Sequence, residues 1–247
     1  MIGFFTDNGN VRELNEDYFA YCIEDKFSLY IVADGMGGHN AGEVASKMAA
    51  EGIMKYIKEK IGKISIDNIL EEAISNVNLD IYELATSQKG YGGMGTTLTA
   101  AFVYNNKIQI ANVGDSCCFG LSNKGIDKLT RDHSLVQELL DSGCITEEEA
   151  KNHPRKNIIT RALGTNNRVN ADIIGMDKNE YDLFLLCTDG FANDLEKDEM
   201  WREIINSNDL NKSCEKLVEV VKQRGGRDNI TVLVFGGESQ NDRSYFR

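Results

Sequence analysis

Four times along this chain an apolar run meets an aspartate in a glycine-rich turn, a pattern that asks a strand to deliver a charge to its own end. Ile31-Val32-Ala33 leads into Asp34-Gly35-Met36-Gly37-Gly38-His39, and Ile108 to Val113 ends at Gly114-Asp115. Leu183 to Cys187 stops two residues before Asp189-Gly190, and Asp228-Asn229 opens the run Ile230 to Phe235. One such aspartate reads as a turn residue or a helix cap. Four at one rim repel and raise each other's pKa unless a cation lies between them, so the repetition points to a divalent-ion cluster arranged around Asp34.

The remaining elements follow from periodicity. Strands are expected at Met1 to Asp7, Tyr18 to Ile23, Phe27 to Ala33, Thr96 to Tyr104, Lys107 to Val113, Cys117 to Leu121, Ala171 to Met176, Leu183 to Cys187 and Ile230 to Phe235. Asn105-Asn106 marks a tight hairpin. Helical spacing of apolar residues places two long helices at Ala41 to Lys60 and Asp67 to Ser87, and others at Ser134 to Ser142, Asp198 to Asn206 and Leu210 to Gln223. Thr146-x-x-Glu149 is a capping-box signature for a short one. Hairpin-linked strands and paired helices predict α+β layering with antiparallel sheets, not a doubly wound parallel sheet. One domain is expected over 1–237, with an irregular flap over 144–169 around the single proline, Pro154, and a polar tail over 238–247.

Composition narrows the function. With 39 acidic against 27 basic residues the net charge is −12, the opposite of the basic field that nucleic-acid binding uses. The six cysteines show no C-x-x-C spacing, which argues against zinc and against a disulfide framework. No secretion-type leader and no apolar window of ~18 residues is present, so a reduced, cytoplasmic setting is expected.

Oxygen-only ligands suit hard cations, not zinc or copper. Two such ions roughly 3.5–4 Å apart share and activate a water while neutralising charge on a transferring phosphoryl group, which makes phosphate-ester hydrolysis the natural reaction. Arg12 offers a guanidinium fork for phosphate oxygens; on spacing alone, a surface pairing with Glu13 or Glu16 is the simpler reading. His39 is a candidate proton donor to the leaving alkoxide, or else a solvent-facing loop residue. Gly90 to Thr97 lacks the Gly-Lys-[Ser/Thr] ending of a phosphate-cradling loop and runs into a strand, so a nucleotide-binding role is set aside.

Eight segments in order then carry a resemblance. They are Thr6-Asp7-x-Gly9-x-x-Arg12-x-x-Asn15-Glu16-Asp17, Val32 to His39, Gly93-Met94-Gly95-Thr96-Thr97, Val113-Gly114-Asp115-Ser116, Leu129-Thr130-Arg131-Asp132-His133-Ser134, Ile159-Thr160-Arg161-Ala162-Leu163-Gly164, Cys187-Thr188-Asp189-Gly190 and Gly225-Gly226-Arg227-Asp228-Asn229-Ile230-Thr231. Together they resemble the metal-dependent protein phosphatases called PP2C (PPM), in their compact bacterial form.

The resemblance implies a four-layer α-β-β-α sandwich, two antiparallel sheets flanked by helix pairs, with two or three Mn²⁺ or Mg²⁺ ions at one end. It implies hydrolysis of phosphoserine and phosphothreonine on proteins by a water bridging two ions, without a phosphoenzyme. Asp34 would bridge both ions, the Gly35 carbonyl would bind one, and Asp189 and Asp228 would complete the other. Glu16 or Asp17 would add a carboxylate, with one of the two facing the metals because neighbours in an extended segment point to opposite sides. Asp115 would help hold a third ion with Asp189, and Arg12 would take the substrate phosphate. Two positions depart from the pattern: Cys117 stands where the family carries arginine after Gly-Asp-Ser, and Met36 stands where animal members often carry histidine. Phosphoprotein substrates, an opposing serine/threonine kinase and a monomer bound to neither nucleic acid nor membrane complete the expectation. The alternatives are a non-catalytic phosphoprotein-binding member and an enzyme devoted to one partner, such as an anti-sigma-factor antagonist or a small phosphorylated metabolite.

Overall fold

The structure, a computed structural model, describes residues 1–37 and 41–236. In chain order its elements are β1 (Ile2–Asp7), β2 (Asp17–Ile23), β3 (Phe27–Met36), α1 (Ala41–Lys60), α2 (Ile66–Ser87), β4 (Gly95–Thr96), β5 (Leu98–Tyr104), β6 (Lys107–Val113), β7 (Cys117–Ser122) and β8 (Gly125–Lys128). They continue with α3 (Leu135–Asp141), α4 (Glu147–Lys151), β9 (Asp172–Asp177), β10 (Leu183–Cys187), α5 (Asp189–Ala192), α6 (Lys197–Ile205), α7 (Leu210–Gln223) and β11 (Ile230–Gly236). The tail 238–247 lies outside the described residues, as does His39.

Two antiparallel sheets form. One runs β1-β11-β10-β7-β8; the other runs β2-β3-β5-β6-β9, with β4 added on β3. Because side chains alternate across a strand, each sheet feeds two apolar layers. Between the sheets Tyr30 stacks on Phe235 at 3.8 Å between centroids, with Phe184 beside them and Leu186 and Leu233 in the same layer. The outer face of the second sheet packs under α1 and α2 through Leu29, Ile31, Ile53, Ile57, Leu70 and Ile74. The outer face of the first packs under α6 and α7 through Leu185, Val232, Met200, Leu217 and Val221. The result is the expected α-β-β-α layering.

Three departures from the sequence reading bear on the site. Strand β3 does not stop at Ala33: it continues through Asp34-Gly35-Met36, because Gly35 and Met36 pair with Thr96 and Gly95 of β4. Strand β8 and the single helical turn α5 lie in stretches too short for periodicity to register. The flap is irregular as expected but tied down, since Ile159 bridges Ser134, Leu163 bridges Thr96, and residues Ala162, Leu163 and Gly164 are buried. The capping box of Thr146 and Glu149 opens α4 as the spacing predicts, and Asn105 takes the left-handed conformation, φ 53°, that its hairpin turn requires.

Candidate active site

Asp34 is placed by its backbone. Its N–H donates to Thr97 Oγ1 at 2.8 Å, and its carbonyl accepts from Thr97 N and Thr96 Oγ1, each at 2.9 Å. Thr97 Oγ1 also lies 2.7 Å from Ser116 Oγ, so one hydroxyl joins the Asp34 strand to the turn that carries Asp115. Directly across the β2–β3 ladder, Asp17 is the register partner of Asp34. Asp189 opens α5 immediately after β10, and Asp228 precedes β11, the neighbour of β10.

Close packing brings Glu16 alongside. The Glu16 carbonyl accepts from Gly35 N at 3.0 Å and Ser46 Oγ at 2.6 Å, while its carboxylate takes the Gly42 N–H in the first turn of α1. A Cβ on Gly35 would lie 2.2 Å from the Gly42 carbonyl oxygen and 2.5 Å from that of Glu16, which is why strand, loop and helix meet only through glycine here. The two acids of the Glu16-Asp17 pair stand in different surroundings: Asp17 is buried among the aspartates, and Glu16 sits at the N-terminus of α1.

Electrostatically the cluster is unbalanced. Burial, in spite of hydrogen bonds from Thr231 and Thr188 and abetted by Asp189 and Asp228, pushes the Asp17 carboxyl up to about 7. Burial, then Asp189 and Asp132, push Asp115 up to about 7 as well. Asp34 is held well above its ordinary value by burial and then by Asp17, Asp189, Asp115 and Asp228, and Asp189 is raised by burial and then by Asp228. The Asp34 and Asp189 side chains lie within hydrogen-bonding reach of each other, a contact that offsets part of the rise at Asp189. Asp17 Oδ2 accepts from Thr188 Oγ1 at 2.9 Å, but Asp17 Oδ1 is buried with no partner. A buried acceptor left unpaired costs about 1–3 kcal/mol.

The acids border a common space without closing on one point: among the described residues no three His, Cys, Asp or Glu side chains are drawn together to that degree. The donor set nevertheless fits hard divalent cations. It is all oxygen, it contains an orphaned carboxylate oxygen, and its members raise one another's pKa, the conditions that a bound cation relieves.

Arg12 is not paired with Glu13 or Glu16. Its Nη2 donates to Asp228 Oδ2 at 2.9 Å, with both side chains partly exposed. Burial, the largest single effect, lowers its pKa, but Asp228, Glu16 and Asp34 together outweigh it and leave it raised. Asn229 holds the Arg12 loop in place: its Nδ2 donates to the carbonyls of Asn8 and Leu14, and its Oδ1 accepts from Glu16 N.

Other residues at the site escaped the sequence reading. Thr188 ties Asp17 to Thr231. Lys128 donates to Asp132 at 2.7 Å, and His133 Nδ1 accepts from Gly114 N at 3.2 Å, bracing the Asp115 turn. The Leu129 to Ser134 motif was visible, but the roles within it depend on pairings between distant strands. Cys117 Sγ lies 3.6 Å from Cys187 Sγ, its partner on β10, and not beside Cys118, whose side chain enters the layer between the sheets.

The comparisons with known proteins agree with this geometry. The profile of the protein phosphatase 2C family matches residues 9–230. A serine/threonine phosphatase stp of Listeria innocua is 42% identical over 235 residues, 94% of this chain and 93% of that protein. Protein phosphatase PhpP of Streptococcus pneumoniae is 35% identical over 237 residues, 94% and 96% of the two chains. Among solved structures, serine/threonine phosphatase Stp1 from Staphylococcus aureus superposes with TM-score 0.86 at 34% identity over 96% of this chain and 95% of that one. The Mycobacterium tuberculosis phosphatase PstP/Ppp does so at 0.84 and 30% identity, over 95% and 97%. With its sandwich of paired sheets and its rim of strand-end aspartates, the chain belongs to the protein phosphatase 2C family and is a serine/threonine phosphatase of that type.

Proposed function

We propose that the chain hydrolyses phosphoserine and phosphothreonine on proteins in a reaction dependent on Mn²⁺ or Mg²⁺, in the cytoplasm and as a monomer, reversing a serine/threonine kinase. The observation that carries this reading is the set of buried or half-buried acids Asp17, Asp34, Asp115 and Asp189, raised together, with Asp17 Oδ1 unpaired. Bound divalent cations supply positive charge that lowers the pKa of water and neutralises charge on the transferring phosphoryl group.

Asp34, the Gly35 carbonyl, Asp17, Asp189 and Asp228 would hold the cations, with Glu16 adding a carboxylate from beside the N-terminus of α1. Asp115 with Asp189 would hold a further ion. Arg12 is already poised beside Asp228 and grips two phosphate oxygens of the substrate in a fork. Once substrate arrives, the guanidinium is shared between Asp228 and phosphate, so it fixes the phosphorus over the acids. Protonation of the leaving serine or threonine oxygen falls to His39 or to water; His39 lies outside the described residues.

Turnover of p-nitrophenyl phosphate by the wild type and by Asp34→Asn, each with Mn²⁺ and with chelator, tests the reading. Activity only in the metal-loaded wild type supports it. Activity that survives both chelation and substitution overturns it.

A further inference from the structure

From Ala150 to Ala171 the chain contains five lysines and arginines and no aspartate or glutamate, although its net charge is −12. Lys151, Arg155, Lys156 and Arg168 are exposed, and among the described residues none of the four takes part in an ion pair. The fifth, Arg161, is committed to Asp172 at 2.8 Å. The acids just before it in sequence, Glu147, Glu148 and Glu149, occupy the first turn of α4, where they favour its N-terminus, and Glu149 folds back on Thr146. Unpaired cations gathered on one exposed segment of an acidic protein have no structural task inside it.

Their placement gives them one. Thr160 N donates to the His133 carbonyl at 2.8 Å, and the His133 ring accepts from Gly114 N, beside Asp115. Leu163 and Thr96 exchange two backbone hydrogen bonds, 2.9 and 3.1 Å, and Thr96 Oγ1 donates to the Asp34 carbonyl. The cationic segment is thus tied, through Thr96 and His133, to the strand that carries Asp34 and to the turn that carries Asp115. On a chain of net charge −12, a segment with five cations and no acid attracts an acidic peptide.

We propose that Lys151, Arg155, Lys156 and Arg168 form a docking strip for acidic residues flanking the phosphorylated serine or threonine, so that the preferred substrates are phosphosites in acidic segments. This inference rests on the phosphatase reading above and adds the substrate class to it. Exposed charge contacts each contribute a factor of roughly 1.5 to 5 in affinity, and three together give a preference of about tenfold at low salt. Screening shortens the reach of these charges from ~10 Å at 0.1 M to ~3 Å at 1 M ionic strength.

The test compares phosphothreonine peptides of one core sequence flanked by glutamates, alanines or lysines, with p-nitrophenyl phosphate as a substrate too small to reach the strip. In Mn²⁺ and 50 mM NaCl, the glutamate peptide is expected to show about tenfold higher kcat/KM than the alanine peptide, with the lysine peptide lowest. The triple variant Lys151→Gln/Arg155→Gln/Lys156→Gln removes that preference and leaves p-nitrophenyl phosphate turnover intact. Raising NaCl to about 1 M removes the preference in the wild type itself, so a folding defect in the variant does not decide the matter. Equal rates on the three peptides, or a preference that survives both the substitutions and the salt, overturn the docking strip while p-nitrophenyl phosphate turnover still supports the phosphatase. A wild type inactive on every substrate overturns both.

Discussion

On the Arg12 side of the site, Asp228 has a guanidinium 2.9 Å away and lies partly in water. Asp17, Asp34, Asp115 and Asp189 lie deeper, face one another, and among the described residues form no ion pair with lysine or arginine. The contrast separates two ways of keeping a carboxylate in a fold. Asp228 carries its counter-charge in the sequence, as Asp132 does in Lys128. The deeper group has no such partner, so burial and mutual repulsion raise all four, a cost that an ion from outside would relieve. An acid cluster of the second kind is a binding site by default, and one of the first kind is a brace.

The largest effect is expected from breaking the unpaired group. Asp34→Asn should cut Mn²⁺-dependent turnover by about 10³-fold or more, several kcal/mol of transition-state stabilisation, and raise the Tm of the metal-free protein by removing a carboxyl whose ionised form burial and its acidic neighbours disfavour. Steady-state kinetics and calorimetry measure the two opposite changes.

Next comes pH. The native carboxyls of Asp17 and Asp115 titrate at about 7, while an unfolded aspartate titrates near 3.8. Between these values the native state holds more protons than the unfolded one, so metal-free stability falls as pH rises from about 4 to about 7 and levels off above. The loss is on the order of several kcal/mol, read as a falling urea midpoint in chelator, and saturating Mn²⁺ should flatten it. Below pH 4 the trend reverses: Asp172 is held below its ordinary value by His133 and Arg161 against the pull of burial, and its contribution is lost as it protonates.

Arg12→Ala should lower kcat/KM on phosphopeptides about 10- to 100-fold, the worth of a charge-assisted hydrogen bond to phosphate, while leaving the fold intact. Lys128→Met, which strips Asp132 of its counter-charge on the opposite flank, should lower Tm by a few degrees, about 1–2 kcal/mol for a half-buried pair. Glu199→Gln, which weakens a surface pair with Arg224, should leave turnover unchanged and Tm nearly so, and marks the limit at which a built-in cation ceases to matter.

Much of this was legible in the residues. The apolar runs gave the strands, and helical spacing placed α1 and α7 at their observed bounds, because burial on one face leaves a periodic trace. The aspartates were legible because charge at the end of an apolar run is costly without a purpose. What the sequence hid depends on register. That β3 runs on through Asp34 follows from β4, a two-residue strand distant in sequence. That Arg12 chooses Asp228 over Glu13 or Glu16 follows from Asn229 holding the intervening loop. That Lys128 serves Asp132 follows from β8, too short to leave a period. Glu16 and Asp17 could not be ranked from alternation alone, because each found a different use beside the same cluster.

The hydrogen bond between Arg12 and Asp228 spans 216 positions of the chain. During synthesis, therefore, Arg12 leaves the ribosome long before the acid that orients it. A nascent chain without its last strand leaves that guanidinium without its partner.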